Sequence, residues 1–88
     1  MHDSMKEFLA WINTNEIPPR VSALFMMNYL IDHGSAEEYP LVPVEIKDEI
    51  NRIVDIYLTG DRVVTAGGGN RTDITELVGS AARILGRA

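Results

Sequence analysis

Cysteine is absent from this 88-residue chain. Neither a disulfide framework nor a thiolate metal site can form, which suits a reducing compartment. No run approaches the roughly 18 consecutive apolar residues of a membrane span. Histidine is scarce as well: only His2 and His33 occur, far apart in sequence, and they offer zinc too few ligands. No alternating Asp-x-Asp-x-Asp-Gly calcium loop is present. None of Ser4, Ser22, Ser35 or Ser80 stands in a Gly-x-Ser-x-Gly elbow. The expectation is therefore no catalytic residue, no metal and no cofactor. The start, Met1-His2-Asp3-Ser4, lacks the basic character of a signal peptide, so a cytoplasmic protein is expected.

What is present describes an ordinary globular chain. It is 45% hydrophobic and 24% charged, with a net charge of −5. That composition argues against disorder, and the length fits a single helical domain over 1–88. The charge is uneven. Residues 37–60 carry Glu37, Glu38, Glu45, Asp48, Glu49 and Asp55 against Lys47 and Arg52, a net of −4. Residues 61–88 hold Asp61, Asp73 and Glu76 against Arg62, Arg71, Arg83 and Arg87, a net of +1. An acidic middle disfavours direct nucleic-acid binding, which needs basic surface against phosphate.

Punctuation divides the chain into four helical segments. Ser4-Met5-Lys6-Glu7 is a capping-box pattern, and Met5, Phe8, Leu9 and Ile12 then share one face. Asn13-Thr14-Asn15 ends that helix. Pro18-Pro19 opens a second, running to about His33, with Gly34 as its stop. Val21, Ala23, Leu24, Phe25, Met26, Met27, Tyr29, Leu30 and Ile31 cover nearly its whole circumference, so it is expected to be central. A loop follows over 35–43. The third helix spans roughly 44–58, with Ile46, Ile50, Ile53, Val54 and Tyr57 as its core stripe. Glu45, Asp48, Glu49, Arg52 and Asp55 occupy the opposite face, and the helical phase places Ile56 among them.

Val63-Val64-Thr65 is read as a short strand that would pair with Leu41-Val42. The fourth helix is expected from Thr72 or Asp73, with Ile74, Leu77, Val78, Ala81, Ile84 and Leu85 as its stripe. Gly79, Ser80, Ala81 and Ala82 permit close helix approach. The fold class is all-α: four short helices packed around a central apolar helix, with two short extended segments.

Three features compete as sites. Gly67, Gly68 and Gly69, followed by Arg71, could cradle an anion through free N–H groups ahead of a helix start. A phosphate-binding P-loop would need a lysine after the glycines, and none follows. Asp73 also places a competing carboxylate at the helix start, so a flexible connector is the favoured reading. Trp11 lies at the border of its helix stripe and is either core or an interface anchor. The third is the acidic face of Glu45, Asp48, Glu49, Arg52 and Asp55 around Ile56, which resembles a charged rim about an apolar anchor and suits a basic protein.

These features favour a small, acidic, intracellular protein–protein interaction module without enzymatic activity. It would be an adaptor, inhibitor or assembly subunit of bacterial or phage type, acting as a homodimer or a hetero-complex. Two alternatives stand beside it. One is an anion- or nucleotide-binding module using Gly67–Thr72. The other is an acidic decoy that blocks a nucleic-acid-binding protein.

Overall fold

A computed structural model describes residues 3–67 and 70–88. Its elements are α1 (Met5–Thr14), α2 (Pro19–His33), a 3-10 turn at Tyr39–Leu41, α3 (Val44–Leu58), β1 (Val64–Gly67), β2 (Asn70–Asp73) and α4 (Thr75–Ile84). The chain is mostly helical, with one small antiparallel sheet.

Local chemistry accounts for the helix ends. The Ser4 hydroxyl accepts the Glu7 N–H at 3.2 Å, and the Glu7 carboxylate reaches back to the Asp3 N–H at 3.0 Å. The return bond thus lands one residue ahead of the usual capping-box position and still satisfies a free donor. Pro18 and Pro19 start α2, where a missing N–H costs nothing. Gly34 closes α2 in the left-handed region at φ 66°, donating its N–H to the carbonyl of Leu30 at 2.8 Å.

The core gathers one face from each helix. Met5, Phe8 and Ile12 come from α1, and Ala23, Met26, Met27, Tyr29 and Leu30 from α2. Ile46, Ile50, Ile53 and Val54 come from α3, and Val78, Ala81 and Ala82 from α4. Helix α2 packs against both α3 and α4, and α3 also packs against α4. Small residues on α4 permit that approach. A Cβ built on Gly79 would lie 2.9 Å from the Tyr57 hydroxyl, so the tyrosine ring rests directly on this helix backbone.

Two expectations need correction. Strand β1 pairs with β2 and not with Leu41-Val42: Val64 faces Asp73, Thr65 faces Thr72, Ala66 faces Arg71 and Gly67 faces Asn70. Leu41 belongs to the 3-10 turn, and Val42 is buried in the core. A local hairpin closes a much shorter loop than the expected pairing, which lowers its entropic cost. For the same reason α4 begins at Thr75 and not at Thr72 or Asp73. Those residues are spent in the ladder, which the Ile74 N–H extends by bonding the Val63 carbonyl at 2.9 Å. Gly68 and Gly69, on which the flexible-connector reading centres, lie outside the described residues.

Candidate functional site

Helix α2 keeps one stripe out of the core. Val21, Phe25, Asn28 and Asp32 recur at i, i+4, i+7 and i+11 and are exposed. Val21 and Phe25 each retain 41% of their accessible surface. The expectation of apolar side chains around α2 therefore meets a divided helix. One side is buried, and the other is apolar at its N-terminal end and polar at its C-terminal end.

Helix α1 lies beside this stripe. The Trp11 and Phe25 rings meet edge to face, with centroids 5.4 Å apart and planes at 83°. Phe8 meets Tyr29 in the same manner at 5.2 Å. Between the two helices is an open cleft of about 210 Å³, lined by Phe8, Trp11, Phe25, Asn28, Tyr29, Asp32 and His33. Phe8 and Tyr29 are buried, whereas Trp11 is half-buried and Phe25 more exposed.

The cleft is braced at its C-terminal end. The Tyr29 hydroxyl donates to the Glu38 carboxylate at 2.9 Å, and the other oxygen of Glu38 accepts the Met5 N–H at 3.4 Å. Burial, reinforced by that carboxylate, pushes the Tyr29 phenol up to about 12. The His33 ring stacks on Tyr29 at 3.9 Å, and its Nδ1 lies 3.0 Å from the Tyr29 carbonyl. A carbonyl can only accept, so Nδ1 carries the proton, and in the neutral ring Nε2 remains an acceptor. Asn28 donates its amide to the Leu24 carbonyl at 3.2 Å.

The acidic face of α3 differs in detail from its helical projection. Glu45 and Asp48 are exposed. Glu49 is held by Arg52 at 2.8 Å, and Asp55 by Arg87 at 2.6 Å. Arg87 also donates to Asn51 at 3.0 Å, tying the end of the chain back to α3. Ile56 is half-buried against the core and not exposed among charges. It shares a small cleft with Arg20, Leu24, Ile53, Val63 and Ile74. A helical wheel places Ile56 relative to its own helix, but the hairpin and α2 supply its cover.

Of the anion-site residues, Gly67 ends β1 and Arg71 is exposed on β2. Gly68 and Gly69 lie outside the described residues. Strand β2 separates the glycines from α4, whose Thr75 N–H is taken by the Asp73 carboxylate at 2.9 Å. The Thr75 hydroxyl, then its N–H, then Arg62 hold that carboxyl down at about 2. Among the described residues no group of three or more His, Cys, Asp or Glu could hold a metal ion, and no helix is long and apolar enough to cross a membrane.

Among the described residues, Trp11 is the one member of the sequence-derived set that lines the aromatic cleft. Phe25, Asn28 and Asp32 belong to a helix whose apolar residues cover nearly its whole circumference, with Asn28 and Asp32 among the few polar exceptions, and their spacing with Val21 marks a single stripe. Comparisons with protein families, curated proteins and solved structures found no match.

Proposed function

We propose that this chain is a non-enzymatic protein-interaction module that docks a basic protein on the face formed by α1 and α2. The observation that carries this reading is the exposure of Phe25 and Val21, 41% each, beside Trp11 and an open cleft. Single exposed apolar residues are ordinary on protein surfaces. An exposed phenylalanine joined to a half-buried tryptophan beside a concave cleft has the make-up of an interface anchor. Helix α2 acts as the hub of the bundle in this reading, since its other side meets α3 and α4.

A net charge of −5 favours a basic partner over a second copy, which would bring like charge to the same face. Glu45 and Asp48 on α3 contribute by steering, with Ile56 as structural support. A cytoplasmic setting fits the lack of cysteine and belongs to the same proposal.

Affinity capture with three forms of the chain tests the reading. Trp11→Ala with Phe25→Ala should lose the partner, while Glu45→Lys with Glu49→Lys should retain it with slower association. Concentration-dependent dimerisation that Phe25→Ala abolishes would replace the basic partner with a second copy.

A further inference from the structure

Strand β1 runs beside a small cleft whose charge is opposite to that of the chain as a whole. The cleft holds about 70 Å³ and lies where Leu24, Ile53, Ile56 and Ile74 approach the strand. Val63, Val64 and Thr65 line it in succession, whereas residues 71–73 of β2 do not. Strand side chains alternate between faces, so three successive lining residues place the cleft along the edge of β1 that β2 leaves free. The Ile74 N–H bonds the Val63 carbonyl at 2.9 Å, and in the alternating antiparallel pattern this turns Val63 and Thr65 toward β2. The main-chain groups of Val64 and Ala66 then point away from β2. Those of Val64 have no partner among the described residues, and its side chain stays 38% exposed. Arg20 and Arg52 line the same cleft, and no carboxylate among the described residues does. Arg52 is held by Glu49 at 2.8 Å, while the exposed Arg20 side chain makes no hydrogen bond or ion pair among the described residues.

We propose that the free edge of β1 takes up an extended, acidic segment of a partner protein as a third strand, with a carboxylate of that segment beside Arg20 and a small aliphatic side chain in the cleft. An open strand edge is a template for main-chain pairing, and an adjoining cleft selects side chains. The added strand would satisfy the N–H and C=O of Val64 together. Charge decides the occupant. In a chain of net charge −5 this edge is flanked by two arginines, so a carboxylate is attracted there and an ammonium is repelled. Size limits it further: the cleft holds about as much as two waters at roughly 30 Å³ each, which suits alanine or valine and excludes an aromatic ring. This surface shares no lining residue with the α1–α2 cleft, and the inference does not rest on the docking face proposed above.

The test titrates the isotopically labelled full chain with three short peptides. One is acetyl-Glu-Val-Glu-Val-Glu-amide; the second carries Lys in place of each Glu; the third is the acidic sequence with its main-chain N–H groups methylated. Nuclear magnetic resonance follows the shift and hydrogen exchange of the Val64 amide and the side-chain N–H of Arg20. The expected result is saturable shifts and slowed Val64 exchange with the acidic peptide, weaker binding of the lysine peptide and none of the methylated one. Arg20→Gln should weaken the acidic peptide roughly two- to fivefold, and Arg20→Lys should restore most of the loss. Arg20 is exposed, so both variants keep the fold, which their unchanged spectra elsewhere verify. Equal binding of the acidic and lysine peptides, or no effect of Arg20→Gln, overturns the acidic occupant. Binding of the methylated peptide overturns strand addition, and no saturable shift from the acidic peptide overturns the proposal as a whole. Val64 exchange that slows with protein concentration, without peptide, replaces the partner segment with a second copy of β1.

Discussion

Trp11 on α1 and Phe25 on α2 form an edge-to-face pair, 5.4 Å between centroids, at the boundary between the core and the exposed stripe of α2. The pair fixes the position of α1 against α2 and presents aromatic surface outward. A double-mutant cycle on Trp11→Ala and Phe25→Ala should give a coupling of about 0.5–1.5 kcal/mol in denaturant unfolding. Purely additive losses would mean that the two rings do not support each other.

The Tyr29 phenol should ionise late. Its folded value is raised to about 12 from 10.0, by burial first and then by Glu38. The raised value favours the protonated, folded form. Its stabilisation is full below pH 10 and is lost as pH rises through about 12. Phenolate absorbance of the native chain should show a late step that Tyr29→Phe removes. A late step surviving in that variant would assign it to another tyrosine.

Asp73 acts in the opposite sense. Its folded value is depressed to about 2 from 3.8, so its contribution is present above pH 3.8 and lost as pH falls through about 2. The Thr75 hydroxyl is the largest cause, ahead of Arg62. Carboxyl resonances should therefore move further toward the ordinary value in Thr75→Val than in Arg62→Ala. The reverse order would make the ion pair dominant.

Ile56→Ala should destabilise the chain by about 1–2 kcal/mol, between the effect of a surface change and that of a fully buried isoleucine. Equilibrium unfolding measures this directly. A change below about 0.5 kcal/mol would return Ile56 to the solvent-exposed position that its helical phase suggests.

The helices were legible because their signals are local. Ser4, Pro18-Pro19 and Gly34 mark ends by backbone chemistry that acts within a few residues, and Ile46, Ile50, Ile53 and Val54 form a stripe with no rival reading. The hairpin was not legible, because pairing depends on which segment meets Val64 and not on Val64 itself. Asp73 illustrates the ambiguity: its carboxylate does bond the Thr75 N–H at the helix start, yet its backbone belongs to β2. The cleft was half legible. Trp11 stood out by type, whereas Phe25 and Asp32 required knowing which side of α2 faces α3 and α4.

The central claim is that α1 and α2 present the docking face. The most direct measurement maps a captured partner onto the isotopically labelled chain by chemical-shift perturbation. The account predicts that the largest shifts fall on Trp11, Val21, Phe25, Asn28 and Asp32, with little change at Glu45, Asp48 and Glu49. Shifts centred on the α3 acids, with Trp11 and Phe25 unmoved, would contradict it.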